Sequence, residues 1–584
     1  MLDFDETISF GLELERSSGF SEPVQTTISN KETSDRPRFG GSLSKDAFRL
    51  NFIKRELINN NFSKSTEDLE NLSDYFKSKL EKDPFDVDST LSLGNCFRKL
   101  GYVSRTKRLY SLFNKKKKNF ETIFIELANI FYEEKNYKKA KYYYEQALDS
   151  KRVLLWATIN EKLAFCCYNL KEFTLGASFA NLALKQARFN STPEIHLLFG
   201  NLYLGDKQYH KAIRQYKRGL VNLQSYSKAI KNIVLSSTTD NKIDPKSFSE
   251  AIKLTSPKIL EAKILNNLGN ALNKLGDYIS AKHYLESALS LSNLPYAQNN
   301  LALTLKSLGD LDGALLNLSK AYQTIPDSAL INHNLAETYL AKGNELKAIE
   351  HFKKTLTYEK TNKFAEFKLN ALLGKNIISA PESYVSNLFD RYSETFENHL
   401  LSSLAYKVPK EISRYISSTY GKTFNLDRVL DLGCGTGLCS ITLKGNCSEL
   451  IGIDLSQQML IKAKEKSLYT QLEQKELTKY LKSSKLKCDL IIAGDVLIYI
   501  GKLDDLFYYS NQSSKKGGRF IFSIELSNTK DFKINKTGRF SHSKSYITKL
   551  AHKYSWHIVY EKEIELRKEH NKTVKGALFA LLKR

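Results

Sequence analysis

The sequence predicts an array of paired helices followed by an α/β domain with a mostly parallel sheet. Three observations predict it. Small residues recur every 33 to 36 positions through the first part of the chain, short apolar strands alternate with helical segments after about residue 380, and a glycine-rich turn follows the first of these strands. Strands alternating with helices are typical of a doubly wound sheet. We therefore predict a flexible tail at 1–45, the helical array at 46–375 and the α/β domain at 376–584.

Composition is that of an ordinary globular protein. Of the 584 residues, 41% are hydrophobic and 26% are charged. The seven cysteines form no CxxC pair, which disfavours a disulfide framework and a structural zinc site. No apolar run reaches the roughly 18 residues that a membrane span needs, and the acidic start Met1–Glu6 is unlike a secretory signal. We expect a cytoplasmic protein without a metal or a membrane span.

The chain is strongly basic, with a formal net charge of +24. Excess Lys and Arg attracts polyanions, so nucleic acid is an admissible partner. The charge is spread along the chain, its longest cluster being Lys115–Lys118, and no aromatic-basic recognition motif accompanies it. We interpret it as solvated surface, and a nucleic-acid partner is not favoured.

The repeat is marked by three small residues spaced twelve and then seven positions apart. Antiparallel helices pack closely where small residues lie at the crossing, and large residues such as Tyr143 and Phe352 fill the remaining space. One pair cannot bury its apolar face alone, so copies stack. The six sets are Ala128/Ala140/Ala147, Ala164/Gly176/Ala183, Gly200/Ala212/Gly219, Gly269/Ala281/Ala288, Ala302/Ala314/Ala321 and Ala336/Ala348/Thr355.

A period of about 34 residues with this order of small and large side chains resembles the tetratricopeptide repeat. The resemblance covers about half of the chain and implies a superhelix. We also expect a degenerate repeat around Gly94 and Thr106 and another in the gap at 225–260. Such an array implies a bound protein or peptide, and the alternative is that it only scaffolds or dimerises the chain.

Six segments are predicted as strands of the α/β domain. The last two lie close together and suit an antiparallel hairpin at the edge of the sheet. The segments are Val429–Leu432, Leu450–Asp454, Cys488–Ala493, Arg519–Ser523, His557–Tyr560 and Leu578–Leu582.

The glycine-rich turn runs from Val429 to Gly437 and has the spacing GxGxG. It lacks the GxGxxG dinucleotide spacing and the Lys-Ser/Thr of a phosphate-binding loop. Asp431, two residues before the first glycine, would repel a pyrophosphate and suit a cationic group. Asp454 ends the next strand, 17 residues after Gly437, where a carboxylate can accept hydrogen bonds from both ribose hydroxyls. The alternative for Asp454 is a helix cap.

These residues resemble the class I S-adenosylmethionine methyltransferases, over roughly residues 380 to 584. The segments Tyr384–Tyr392, Gly494–Gly501 and Gly538–Ser543 further resemble a bacterial group in which tetratricopeptide repeats are fused to such a domain. The resemblance implies a Rossmann-like fold and S-adenosylmethionine as the cofactor.

The resemblance also implies roles for individual residues. Tyr384 and Tyr392 would close a lid over the site. The cofactor residues would be Asp431, Gly433 and Gly435 at the methionine end, with Cys434 and Gly437 in the same turn, Asp454 at the ribose, Leu455, Glu476 and Leu477 at the adenine, and Asp495 and Val496 beside the methyl group.

Three residues are candidates for contact with the methyl acceptor. His542, in a polar turn after the predicted strand Arg519–Ser523, is the candidate base, or else a cap or surface histidine. Arg539 would bind an acidic acceptor group, and Tyr499 would touch the substrate or pack in the core. No Asn/Asp-Pro-Pro-Tyr/Phe motif follows the predicted strand Cys488–Ala493 and no Pro-Cys dipeptide occurs, which disfavours adenine, glutamine and cytosine as acceptors. We expect an O or N acceptor on a small molecule or protein.

Three functions remain open at this point. The first is an active methyltransferase whose array recruits a protein. The second is an interaction scaffold with a catalytically idle cofactor-binding domain. The third is a methyltransferase directed at nucleic acid, which the charge suggests and no motif supports.

Overall fold

The computed structural model describes residues 66–116, 121–148, 156–187, 192–237, 257–375, 377–393, 396–398, 400, 404–421, 423–569 and 572–584. These residues form two compact units, which divide between Ser292 and Asn293. The division falls inside the predicted array, so the last helices of the array belong to the same unit as the α/β domain. The predicted tail at 1–45 and the start of the array up to residue 65 lie outside the described residues.

The first unit consists of consecutive helices that pack in pairs. The helix pair around Gly94 and Thr106 is present, and the Thr106 hydroxyl lies 3.3 Å from the Gly94 carbonyl oxygen. The predicted repeat at 225–260 falls largely on residues 238–256, outside the described part. The helices are α1 Thr66–Lys82, α2 Val87–Lys99, α3 Val103–Lys116, α4 Glu121–Glu133, α5 Tyr137–Leu148, α6 Trp156–Asn169, α7 Phe173–Ala187, α8 Pro193–Gly205, α9 Tyr209–Ser237, α10 Pro257–Leu275 and α11 Tyr278–Leu291.

Small residues lie where the two helices of a pair meet, as the repeat predicts. A Cβ atom added to Gly94 would fall 2.2 Å from Tyr110, and one added to Gly200 would fall 2.3 Å from Tyr216. In both pairs the large residue follows the glycine by sixteen positions. In these two pairs the close approach of the helices therefore depends on a small residue that faces a large one.

The same pairing corrects one prediction. Tyr144 lies sixteen positions after Ala128 and is fully buried, so it fills the space that the sequence predicts for Tyr143. Tyr143 is only partly buried and stacks on Phe131, with ring centroids 5.6 Å apart.

The second unit begins with five further array helices and continues into the α/β domain. A short helical turn at Phe396–Asn398 and two 3₁₀ turns at Leu438–Leu443 and Leu497–Tyr499 join its longer elements. Its helices are α12 Pro295–Ser307, α13 Leu311–Thr324, α14 Ala329–Ala341, α15 Glu345–Tyr358, α16 Lys363–Leu372, α17 Glu382–Tyr392, α18 Val408–Tyr420, α19 Gln457–Glu465, α20 Leu477–Ser483, α21 Asp504–Ser513 and α22 Lys544–Lys553. Its strands are β1 Leu426–Leu432, β2 Cys447–Asp454, β3 Gln471–Gln474, β4 Cys488–Ala493, β5 Ser514–Glu525, β6 Phe532–Ile534, β7 Phe540–His542, β8 Trp556–Glu569 and β9 Lys572–Lys583.

Seven strands form one sheet in the order β3-β2-β1-β4-β5-β9-β8. The first five are parallel, whereas β9 is antiparallel to both β5 and β8. The predicted α/β fold and the antiparallel hairpin are confirmed, with β8 at the sheet edge. Strands β6 and β7 form a separate two-stranded sheet.

The register of the central strands places the site. Asp431 of β1 lies opposite Gly452 of β2 and Ile492 of β4. Because these strands are parallel, the loops that follow them meet at the same edge of the sheet, where ligands bind in open α/β folds.

A small apolar core joins the last array helix to this edge. It packs Phe367 of α16 and Tyr384 of α17 against Ile498, Tyr499 and Phe540. Among the described helices, none combines the length and the apolar character that crossing a bilayer requires.

Candidate active site

The turn after β1 is fixed against Asp454 at the end of β2. Oδ2 of Asp454 accepts a hydrogen bond from the Gly435 N–H at 2.8 Å, and Oδ1 accepts one from the Ser456 N–H at 2.8 Å. Burial raises the pKa of Asp454, and these backbone hydrogen bonds oppose the rise. Each carboxylate oxygen has more than one acceptor direction, so both can take a further donor such as a ribose hydroxyl.

Two glycines of the turn open its backbone to the adjoining space. Gly433 and Gly435 have φ values of 66° and 54°, in the left-handed region that favours glycine. A Cβ atom at Gly433 would fall 2.5 Å from Val496, whereas at Gly435 the nearest atom is 3.8 Å away, on Phe396. A side chain at Gly433 would therefore clash, and one at Gly435 would occupy space that a ligand needs.

This edge of the sheet borders a cavity of about 1320 Å³. Single-ligand pockets usually measure about 300–1,000 Å³, so the cavity has room for a cofactor together with an acceptor. Twelve of the residues predicted for the site or its lid lie in the wall: Gly433, Gly435, Asp454, Leu455, Glu476, Leu477, Asp495, Val496, Tyr499, Arg539, Tyr384 and Tyr392.

The structure places Asp431 outside the lining of the cavity. Its side chain is buried, and Oδ2 accepts hydrogen bonds from the Ser440 hydroxyl at 2.6 Å and the Tyr469 hydroxyl at 2.7 Å. Burial raises the pKa of Asp431 to about 6, against the effect of both hydrogen bonds. These bonds hold the carboxylate outside the lining of the cavity, and its expected contact with the methionine end stays a prediction.

Cys434 and Gly437 are also outside the lining of the cavity, and their cofactor contact stays a prediction. Cys434 is buried, and burial raises the pKa of its thiol. Gly437 has a φ of 90°, and a Cβ atom there would lie 3.0 Å from the ring of Tyr469. Both residues shape the turn from its far side.

His542 is buried and does not line the cavity, which does not favour its predicted role as base. The side chain has no exposed surface, and Nε2 lies 2.9 Å from the Ile500 carbonyl oxygen and 3.1 Å from that of Gly501. Burial lowers the pKa of His542 to about 4. The neutral ring donates from Nε2 to these carbonyls and supports the loop after β4.

Glu476 is both the N-cap of helix α20 and part of the cavity wall. It precedes helix α20 and accepts hydrogen bonds from the N–H groups of Thr478 and Lys479, at 3.0 and 2.7 Å. It is therefore an N-cap in a loop, since strand β3 ends earlier, at Gln474. Glu476 nevertheless lies in the cavity wall beside Leu477.

The sequence did not reveal that Arg567 forms buried ion pairs with Asp495 and Glu525. Nη1 of Arg567 donates to Asp495, and Nη2 donates to Glu525. Asp495 has a φ of 56°, a strained conformation for a residue other than glycine. Arg567 lies in β8, 72 positions further along the chain. Nothing local in the sequence connects the two residues, because sheet pairing brings them together.

Aromatic side chains cover the turn from the α17 side. The Phe389 ring lies 5.9 Å from that of Phe396 and 5.6 Å from that of Tyr499, between centroids. Tyr392 meets Phe396 at 5.5 Å. All four residues border the cavity, so the space next to Gly435 has an aromatic wall.

Asp390 attaches α17 to the same edge of the sheet. Its Oδ1 accepts hydrogen bonds from the Ser456 hydroxyl at 2.6 Å and the Gln458 N–H at 3.2 Å. Ser456 also donates its N–H to Asp454, which links the predicted lid helix to the predicted ribose residue.

Comparison with known proteins matches both halves of the chain. Residues 429–518 match the model of a family described as a methyltransferase domain, and residues 122–153 and 262–293 match that of the tetratricopeptide repeat. A curated relative, the BBSome complex member BBS4 of Bos taurus, is 34% identical over 117 residues, which are 20% of this chain and 22% of that protein. The chain thus spans under a quarter of this relative.

Solved structures with partial likeness include two methyltransferases and a hetero-tetramer. The N-methyltransferase NodS from Bradyrhizobium japonicum WM9 with S-adenosyl-L-homocysteine is 17% identical, with a TM-score of 0.25, over 30% of this chain and 84% of that one. The APC/C hetero-tetramer Cut9-Hcn1 is 14% identical, with a TM-score of 0.34, over 52% of each chain. A putative S-adenosylmethionine-dependent methyltransferase from Listeria monocytogenes is 20% identical, with a TM-score of 0.24, over 30% of this chain and 99% of that one.

The methyltransferase match begins at Val429 and contains the turn, Asp454, Glu476 and Asp495, which border the cavity described above. The repeat matches fall in the helical array. Residues 429–518 therefore belong to a methyltransferase domain, and tetratricopeptide repeats lie ahead of this domain in the chain.

Proposed function

We propose that this enzyme transfers a methyl group to an O or N acceptor on a small molecule or protein, and that the repeat array recruits a protein partner. The observation that carries the proposal is the pairing of Asp454 with the open turn at Gly433 and Gly435, at the mouth of a cavity larger than one ligand needs. Bound S-adenosylmethionine supplies a methyl group that its sulfonium already activates.

Individual residues fit the parts of this cofactor. The Asp454 carboxylate would hold the ribose hydroxyls, and the backbone at Gly433 and Gly435 would receive the methionine end. Leu455 and Leu477 offer apolar surface for the adenine, and Glu476 faces the same part of the wall. The aromatic wall next to Gly435 suits a cationic sulfonium, because ring faces attract cations.

Asp495 is the proposed contact for the acceptor's nucleophile. Arg567 holds its carboxylate in place, and Asp495 faces the cavity beside Val496. An acceptor hydroxyl or amine can donate a hydrogen bond to this carboxylate, which orients a lone pair for attack. Orientation of this kind supplies much of the acceleration in an in-line transfer, through effective molarities of up to about 10⁵–10⁸ M.

Tyr499 is a hydrogen-bond donor in this proposal. Burial raises the pKa of its hydroxyl to about 12, although the nearby Arg539 opposes the rise. The phenol therefore keeps its proton at neutral pH and can donate to the acceptor but not deprotonate it.

Recruitment by the array is supported by the repeat type. Tetratricopeptide repeats present extended surfaces for binding. The relative that matches part of this chain is named as a member of a protein complex.

Titration calorimetry with S-adenosylmethionine tests the cofactor site. We expect micromolar binding by the full chain and a loss of at least about tenfold in Asp454→Asn, since hydrogen bonds to a charged group contribute about 1.5–3 kcal/mol each. Asp427→Asn is the matched control, because Asp427 is exposed and outside the cavity wall. Absence of binding by the intact chain would contradict the proposal.

Labelled methyl transfer to a cell extract tests the reaction. We expect label in a small-molecule or protein fraction that disappears with Asp454→Asn. Label that nuclease treatment removes would instead indicate a nucleic-acid acceptor.

A further inference from the structure

Two cations from different parts of the second unit line the same cavity. Lys368 comes from α16, the last helix of the array side, and Arg539 comes from the turn between β6 and β7. We propose that Lys368 and Arg539 together bind an anionic group, carboxylate or phosphate, on the methyl acceptor. This inference rests on the proposed methyl transfer, because it assigns a substrate class to the same cavity.

Lys368 is held against aromatic rings at the cavity wall. Its ammonium lies 5.5 Å from the centroid of Tyr384 and 6.0 Å from that of Phe364. Burial opposes the charge, but the attraction of Glu337 and of the Tyr384 hydroxyl outweighs it and raises the pKa of Lys368. The lysine is therefore charged at neutral pH.

The attraction between Lys368 and Glu337 acts without a direct ion pair. Within the described residues, no carboxylate lies within 4.0 Å of the Lys368 ammonium, and Oε1 of Glu337 has no hydrogen-bond partner. The Tyr384 hydroxyl takes one hydrogen bond from Lys368, and because an ammonium has three N–H donors, a ligand in the cavity can receive another.

Arg539 is carried by a tight turn. The Asn535 N–H donates to the Arg539 carbonyl oxygen at 2.8 Å, and the Gly538 N–H donates to the Asn535 carbonyl oxygen at 2.8 Å. Gly538 has a φ of 84°, and a Cβ atom there would lie 3.2 Å from Phe367 and 3.3 Å from the Tyr384 hydroxyl. The turn consequently packs closely on α16 and α17.

A surface ion pair attaches the same turn to another array helix. Nζ of Lys536 lies 2.7 Å from Oε2 of Glu345, in α15. The turn therefore touches three helices that precede the sheet, and these contacts hold Arg539 on the same side of the cavity as Lys368.

The two cations are close enough to repel each other. The charge of Arg539 opposes the charge of Lys368 and favours the ionised form of Tyr499. An anion between two like charges relieves their repulsion, and a guanidinium matches the two oxygens of a carboxylate or phosphate.

The other buried charged groups in this part of the cavity already form ion pairs with one another. Asp495 and Glu525 both accept hydrogen bonds from Arg567. Arg539 has a side-chain hydrogen bond with Tyr499, and the charges of Arg539 and Asp495 both influence the pKa of Tyr499. The arrangement suits an acceptor that presents its nucleophile to Asp495 and its anionic group to Lys368 and Arg539.

The test uses the full chain and three probes in titration calorimetry, with and without S-adenosylhomocysteine. The probes are benzoate, phenyl phosphate and the neutral benzamide. The variants are Lys368→Met, Arg539→Gln and the conservative Lys368→Arg. Lys363→Met is the matched control, because Lys363 is an exposed residue of the same helix outside the cavity wall.

We expect at least one anion to bind and benzamide to bind about tenfold more weakly or not at all. Lys368→Met and Arg539→Gln should each weaken the anion about tenfold or more, because each removes a charged hydrogen bond, while Lys368→Arg and Lys363→Met retain it. The better anion shows whether the group is a carboxylate or a phosphate. Affinity for S-adenosylhomocysteine should change by no more than about twofold in any variant, which also shows that each variant is folded.

Equal binding of benzamide and benzoate, anion binding that survives both substitutions, or no anion binding at all would overturn the inference. Anion binding that depends on Lys368 in a chain without affinity for S-adenosylhomocysteine would overturn the proposed function and leave the anion site standing.

Discussion

Nη1 of Arg567 lies 3.1 Å from Oδ1 of Asp495, and the side chain of Arg567 is only 1% exposed. The same guanidinium bonds Glu525, so one buried cation holds two carboxylates from the ends of neighbouring strands. This group keeps Asp495 in its left-handed backbone conformation next to the space where transfer is proposed.

Replacing Arg567 by Met should destabilise the second unit by about 3–5 kcal/mol, because it leaves two carboxylates buried without their partner. The fluorescence of the buried Trp556, in a Trp156→Phe background, would follow urea unfolding of this unit. Lys549→Met is the control, since the pair with Asp531 is exposed and should contribute less than about 1 kcal/mol. A loss of less than about 1 kcal/mol in the unfolding free energy of Arg567→Met would show that the buried ion pairs are not needed for stability.

Asp431 should affect stability and not cofactor affinity. Its pKa is about 6 in the folded chain and about 3.9 when unfolded, so the folded state keeps a proton that the unfolded state has released between these values. Its contribution to stability therefore falls as pH rises from about 4 to about 6, by about 2–3 kcal/mol, and is constant above. Asp431→Asn should remove this fall, measured as the difference in unfolding free energy between wild type and variant across that range.

The affinity of Asp431→Asn for S-adenosylhomocysteine should stay within about threefold of wild type, because the side chain lies outside the cavity wall. A loss of affinity as large as that of Asp454→Asn would show that Asp431 contacts the cofactor.

His542→Gln should retain methyl transfer. A glutamine amide can replace the Nε2 donor to the carbonyls of Ile500 and Gly501, but it cannot act as a base. The pKa of His542 is about 4 when folded and about 6.5 when unfolded, so its contribution to stability falls as pH drops from about 6.5 to about 4. The variant should lose that dependence and keep its rate in the labelled-extract assay. Abolished transfer with unchanged affinity for S-adenosylhomocysteine would contradict the structural role.

The two periodicities of the sequence were enough to predict the fold. The small residues of the array mark helix crossings, and the apolar runs at Leu450–Asp454 and Cys488–Ala493 became the buried strands β2 and β4. The pairing of Gly94 with Tyr110 was not evident, because the helical patterns fix which face is buried but not which large side chain fills a given space.

The site was predictable where it is local to the turns after the strands. Asp454 and Gly435 lie within twenty positions of each other, and the sequence predicts both as residues of the cofactor site, although not their mutual hydrogen bond. Arg567 and Lys368 could not be found in this way, because they reach the cavity only through the pairing of β8 and the packing of α16. The sequence did not indicate that His542 is buried, because polar residues surround it in the chain.

The array helices that belong to the second unit should be needed for its stability. Phe367 of α16 packs on Tyr384, with ring centroids 4.7 Å apart, and both belong to the core that includes Tyr499 and Phe540. A fragment of residues 376–584 exposes this core, whereas a fragment of residues 293–584 follows the observed division of the chain.

Burying one large apolar side chain contributes about 1.5–3 kcal/mol, so the shorter fragment should melt at least several degrees lower, by circular dichroism. It should also bind S-adenosylhomocysteine more weakly, because α17 would lose its packing surface. A fragment of residues 360–584 restores α16 and should recover much of the difference. Equal melting of the shortest and longest fragments would mean that the helices before residue 376 serve only the array.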